Sequence, residues 1–210
     1  AALTGSLAYL LGVALLYGAH GVLDLRLLGE VLQPGAAAGA ALALMVAGLM
    51  VKTALFPLHF WLPQAHASAS SPVSAILSAL VIKASFYLVL RLWFDTFGAV
   101  RTPAAAQFAG ALGAAAILWG SFRAVRQRRL KLLIAHSTVG QIGYLFLVLP
   151  LTAAAGATAQ PWMAYAWTGG LYQAISHGFA KASMFLAAGV ILRAMGTDDL
   201  YAMRDIAGRL

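Results

Sequence analysis

Residues 132–180 read LLIAHSTVGQIGYLFLVLPLTAAAGATAQPWMAYAWTGGLYQAISHGFA, 49 residues without one Asp, Glu, Lys or Arg. A helix that crosses a bilayer needs about 20 apolar residues, so this run is too long for one crossing. Pro150 and Pro161 bracket the stretch LTAAAGATAQ, and a turn there divides the run into two spans. Working outward with the same criterion gives six spans, at 3–22, 37–62, 72–94, 103–122, 132–151 and 162–193. The second is too long for a straight crossing and contains Pro57. A proline inside a helix removes a backbone hydrogen bond, which a membrane tolerates only where protein or water satisfies the freed groups. The expected fold is all-α, a polytopic membrane bundle whose second helix is broken at Pro57.

Composition agrees. Of 210 residues, 62% are hydrophobic and 10% charged, against about 25% charged in an ordinary soluble domain, and the mean hydropathy is +0.84. Disorder and collagen are excluded on the same grounds. The lack of cysteine excludes a disulfide scaffold, a thiolate zinc site and a cysteine-held iron–sulfur cluster. The first apolar run has no basic segment before it and the pattern continues past it, unlike a cleaved signal peptide. The chain opens inside a hydrophobic run and stops after a charged stretch, as expected of a piece of a longer polytopic protein.

The net charge of +8 is mostly topology. Arg123, Arg126, Arg128, Arg129 and Lys131 lie between the fourth and fifth spans, and Arg193, Arg204 and Arg209 after the sixth, whereas Arg26, Arg91 and Arg101 fall on the other side. The positive-inside rule places the 123–131 loop and residues 196–210 in the cytoplasm. This distribution points to no nucleic-acid partner; the partner it implies is the lipid bilayer of a bacterial or archaeal plasma membrane.

Three lysines remain inside spans: Lys52, five residues before Pro57; Lys83, midway along the third; and Lys181, late in the sixth. A charge at the bilayer centre costs about 2.5–3.5 kcal/mol on insertion scales, which makes each a functional-site candidate. Gln173, His177 and Lys181 recur at i, i+4 and i+8 and form one polar stripe on an apolar helix. Ser85 lies beside Lys83, and His136, Ser137, Thr138 and Gln141 crowd the start of the fifth span. Such a set suits a hydrated proton path. His20, His59, His66 and His136 lie near expected helix ends, where interfacial hydrogen bonding is the simpler role; His177 is the deep histidine. All six acids lie in loops or near span ends, so the carboxylate partners of the lysines lie outside this piece or the lysines rest neutral. No metal-ligand cluster, Gly-rich nucleotide fingerprint or Ser/His/Asp constellation occurs in the spans, and no cofactor is expected.

The segment VKTALFPLHFWLPQAHASASSPVSAILSALVIKASFYLVLR at 51–91 closely resembles the antiporter-like subunits of respiratory complex I, Mrp-type cation/proton antiporters and membrane-bound hydrogenases. The likeness recurs at RLKLLIAHSTVGQIGYLFL and at LYQAISHGFAKASMFLAAGVI. It implies a bundle of about 14 helices with two five-helix repeats inverted in the membrane, an architecture common among transporters. Residues 1–94 would end the first repeat, 103–195 would begin the second, and 196–210 would be a cytoplasmic loop. The resemblance implies that Lys52, Lys83, His177 and Lys181 transfer protons, supported by Gln173, His136, His59 and Ser85, in a transport subunit without a redox centre of its own. It further implies a complex I-like NADH:quinone oxidoreductase or related assembly with other membrane subunits as partners. The alternatives are an Mrp-type subunit exchanging Na⁺ or K⁺ for protons and a passive membrane scaffold for a redox arm. The fifth-helix glutamate expected opposite Lys52 would lie outside residues 1–210. Three positions depart from the family pattern: Gln64 and Arg129 stand where Asp is frequent, and Gln173 where some relatives carry histidine.

Overall fold

The computed structural model describes residues 2–153 and 160–203. Most of the turn expected at 151–160, and the last seven residues of the expected 196–210 loop, lie outside the described residues. The described chain is helical, and its one β-type contact is an isolated bridge between Arg129 and Asp199.

The helices are α1 (Ala2–His20), α2 (Leu25–Val31), α3 (Ala36–Lys52), α4 (Trp61–Ser68), α5 (Ser71–Thr96), α6 (Pro103–Val125), α7 (Leu130–Thr152) and α8 (Pro161–Met195). Five are long and apolar enough to cross a membrane; the sixth expected span is the shorter pair α3 and α4 around the break. At 35 residues α8 is about 52 Å long at 1.5 Å per residue. That exceeds the hydrocarbon core, so α8 tilts or projects from it. Its left-handed C-cap falls on Gly196, which adopts φ +70° without a Cβ penalty. The short α2 is capped by Asp24, whose carboxylate accepts from the backbone N–H groups of Arg26 and Leu27 and is thereby held below the ordinary carboxylate pKa.

Two close helix pairs frame the bundle: α1 on α3, and α6 on α7. Both seams are built on glycine. A Cβ at Gly5 would lie 2.8 Å from the Gly48 carbonyl oxygen, and one at Gly113 would lie 2.7 Å from that of Gly143. Without water to drive association, such backbone-to-backbone contact is what holds membrane helices together. The main core joins α1, α3, α5, α6 and α7. A smaller cluster of Ala75, Ile134, Ala135, Phe185 and Ala188 lies between the starts of α5 and α7 and the later part of α8.

The break in the second span differs in detail from the expectation. The helix stops at Lys52, and α4 resumes at Trp61 and runs to Ser68, six residues beyond the expected end. The reversal occurs at Ala54, with φ +56°, before the cis Phe56–Pro57 peptide is reached. Its backbone is well satisfied: Ala54 and Leu55 N–H donate to the carbonyls of Val51 and Met50, and Trp61 Nε1 donates to Val51 O at 2.8 Å.

The 123–131 segment also needs correction. Lys131 is not a solvated loop residue; it sits in the first turn of α7, 4% exposed, and its amine donates to the carbonyl of Ala69, the C-cap of α4. A lysine there matches the negative end of a helix dipole. Arg129, where the family pattern has Asp, pairs with Asp198 through Nε at 3.0 Å. Backbone bonds from Leu130 to Asp198 and from Leu200 to Arg128 tie the two basic segments into one face.

Candidate functional site

Lys83 and Lys181 come from different helices and are tied to a common support, the start of α7. The support begins in α5, where residues Leu77–Val81 form a π-helical stretch. This wider turn brings the Lys83 amine back to the carbonyl of Ser78, five residues earlier. The Ser78 and Thr138 hydroxyls are 3.4 Å apart. Thr138 spends its own proton on Ile134 O at 2.9 Å, so Ser78 is the donor between them. The amine of Lys181, 3% exposed, donates to the Ser137 hydroxyl and to Ile134 O at 3.3 Å. Residues 134–138 thus bind the Lys181 amine directly and touch, through Thr138, the hydroxyl of the same Ser78 whose carbonyl binds Lys83.

The polar stripe of α8 meets a matching stripe on α7. Gln173 donates through Nε2 to Gln141 Oε1, and Lys181 meets Ser137 one turn earlier on α7. Between these contacts lies His177, 4% exposed, with both ring nitrogens unpaired among the described residues. The charges close enough to act on it are those of Lys83 and Lys181. Carbonyl oxygens do not pass protons on, so the hydrogen bonds fix the two amines in place, whereas an imidazole with two open nitrogens has the chemistry to accept a proton on one side and release it on the other. Gln141 and Gln173 also line a cleft of about 470 Å³ with Tyr144 and Tyr165.

The other expected residues are placed differently. Lys52 ends α3 at the break, half-buried, and no described residue hydrogen-bonds to its amine. Ser85 is buried but bonds back to Val81 O of its own helix and does not reach Lys83. His59 and His136 have Arg123 as their charged neighbour; they form a separate group, with His59 stacked on Phe56 at 5.5 Å. Ser78, Ser137 and Thr138 carry the contacts instead. The crowding of hydroxyls at the start of the fifth span was the available signal. The π turn in α5 has no simple sequence mark.

These features define a class, an integral membrane helical bundle with basic side chains held in its interior. The family described as NADH:quinone oxidoreductase/Mrp antiporter, TM, matches residues 1–209, and the chain belongs to it. It is 39% identical over 185 residues to NADH-quinone oxidoreductase subunit N of Desulforudis audaxviator (strain MP104C), covering 86% of this chain and 35% of that protein. It is 36% identical over 219 residues to an Na(+)/H(+) antiporter subunit of Alkalihalophilus pseudofirmus, covering 93% and 25%. Among solved structures it resembles the membrane-bound sulfane sulfur reductase, an archaeal respiratory membrane complex, with TM-score 0.81 and 30% identity over 96% of this chain and 40% of that one. The Mrp complex from Dietzia sp. DQ12-45-1b gives TM-score 0.77 and 29% identity over 90% and 33%. The chain therefore spans between a quarter and two fifths of the length of these relatives.

Proposed function

We propose that the chain is the central part of a proton-translocating membrane subunit in which Lys83, His177 and Lys181 exchange protons. The observation that carries this reading is the buried His177, with both nitrogens open, one turn before Lys181 on α8 where that helix packs on the π stretch whose Ser78 holds Lys83. A proton leaving Lys83 adds to one imidazole nitrogen, the proton on the other nitrogen passes to a neutral Lys181 amine, and the Ser137 hydroxyl orients that amine while Thr138 steadies Ser78 beside Lys83. Gln173, bonded to Gln141, extends the polar stripe but cannot itself carry charge. Lys52 enters from the neighbouring break; on the family resemblance its partner is a glutamate of a preceding helix.

On the same resemblance residues 1–94 close one inverted repeat and 103–195 open the next, with the Arg129–Asp198 face in the cytoplasm by the positive-inside rule. The relatives are named as subunits of NADH-quinone oxidoreductases and antiporters, and the similar structures are multi-subunit complexes, which supports assembly of this chain with other membrane subunits. A second reading, exchange of Na⁺ or K⁺ for protons, is favoured by the similarity, at comparable identity, to the Na(+)/H(+) antiporter relative.

The test is proton uptake by proteoliposomes of the intact parent assembly, wild type against Lys83→Met, with Na⁺ and K⁺ varied and assembly checked by size exclusion. Uptake lost in an assembled variant, without dependence on alkali cation, supports the proton reading. Cation-dependent exchange supports the second, and unchanged uptake returns the chain to a scaffold role.

A further inference from the structure

The polar stripe of α8 has two ends of different chemistry. Toward the basic face, where α7 starts and α8 finishes, it ends in Lys181, an amine that can take up and release a proton. Toward the opposite end of the bundle it ends in Gln173, an amide that does neither at physiological pH. His177 stands four residues further along α8 from Gln173, about 6 Å at 1.5 Å of rise per residue.

Gln173 is locked to a second amide. Its Nε2 donates to Oε1 of Gln141, so α7 and α8 meet here in a pair of neutral, half-buried side chains. Past the pair, between the later part of α7 and the first turns of α8, lies the cleft of about 470 Å³. At about 30 Å³ per molecule it has room for several waters, and Tyr144 and Tyr165 on its walls are the amphipathic rings found at a membrane–water interface. Gln141 and Gln173 line this cleft, whereas His177 does not, and both nitrogens of its ring are shut off from solvent. The helices also close tightly beside the pair: a Cβ at Gly170 would lie 2.2 Å from Cγ2 of Val148. The two amides are therefore the last polar groups that water in the cleft meets before the buried path.

A proton hop needs donor and acceptor within about 2.6–3.2 Å, or one water between them. The amide pair offers no titratable group for such a hop, and it occupies the place where a bridging water would stand.

We propose that the Gln141–Gln173 pair is an insulating seal, which shuts the His177–Lys181 path off from water at the end of the bundle opposite the basic face. The step it prevents is addition of a proton from cleft water to one nitrogen of His177, with release of the proton on the other nitrogen to a neutral Lys181 amine. With that step open, protons would flow down their gradient along the path without any driving reaction. The inference rests on the proton-translocating reading, and Lys83→Met serves as the control for that reading.

The test places a titratable group in the seal. In proteoliposomes of the parent assembly, given a pH difference and no driving reaction, Gln173→Glu and Gln173→His should raise passive proton flow about tenfold or more, with assembly unchanged by size exclusion. Gln141→Glu, on the other helix, is the variant to use where neither of these assembles. Gln173→Met fills similar space without a titratable group, and its passive flow should stay within about twofold of wild type. Adding His177→Phe to Gln173→His should abolish the extra flow, since the next carrier is then missing. Passive flow unchanged in the titratable variants, where Lys83→Met abolishes driven uptake, overturns the seal alone. Flow raised equally by Gln173→Met, or surviving His177→Phe, marks a loosened contact and overturns the seal as well. Wild-type driven uptake in Lys83→Met overturns the underlying reading.

Discussion

Lys52 and Lys83 are both amines set in the middle of an apolar bundle, yet their surroundings differ. Around Lys52 the backbone has settled its own account: Ala54, Leu55 and Trp61 satisfy the carbonyls that the helix break frees, and no described group bonds to the lysine amine. Around Lys83 the side chains do this. Its amine binds Ser78 O, Ser78 reaches Thr138, and the turn that carries Thr138 also holds Lys181. The first lysine is presented by a prefabricated break, with no described group bonded to it; the second belongs to a unit whose members lie on α5, α7 and α8.

The largest effect should follow from emptying that unit. Lys83→Met and Lys181→Met should each lower proton uptake by tenfold or more, about 1.4 kcal/mol or more in barrier height, in assemblies that purify intact. A smaller loss, about three- to tenfold, is expected from Thr138→Val, which keeps the shape but removes the hydroxyl shared by Ser78 and Ile134. Ser85→Ala serves as the contrast: its hydroxyl bonds only within α5, so uptake should stay within about twofold, and a larger loss would return Ser85 to the path.

The Lys52 side is probed by Trp61→Phe. Removing the indole donor from Val51 O should cost about 1 kcal/mol, read as a lower thermal midpoint, without the loss of uptake that Thr138→Val causes. The smallest effect is expected at Asp24. Its folded pKa is depressed, so its capping of α2 is present above the ordinary carboxylate range and is lost as pH falls through the lower folded value. Amide exchange at Arg26 and Leu27 should quicken only in strong acid, and Asp24→Ala should show the fast rates already at neutral pH.

The bundle was legible in the sequence because apolar runs bounded by Pro, Gly and charge are a direct imprint of bilayer thickness, and the α8 stripe because Gln173, His177 and Lys181 keep strict helical spacing. Side-chain direction across helices was not. The π stretch at 77–81 widens α5, so Lys83 turns back to Ser78 while Ser85, its near neighbour in sequence, bonds elsewhere. Lys131 looked like one more loop charge because its burial depends on the distant end of α4. His66 looked interfacial because neither its ring contact with Phe185, 119 positions later, nor the run of α4 past the break can be read from local pattern. Arg129 departs from the family pattern yet is paired, since Asp198 supplies the opposite charge from another loop.

The most direct measurement is a double-mutant cycle on proton uptake in the intact parent assembly: wild type, Lys83→Met, Lys181→Met and the two combined. Serial members of one path predict that the double variant is no worse than the poorer single one. Losses that multiply, or an active assembly lacking both amines, would contradict the claim that α7 joins them into one proton-transfer unit.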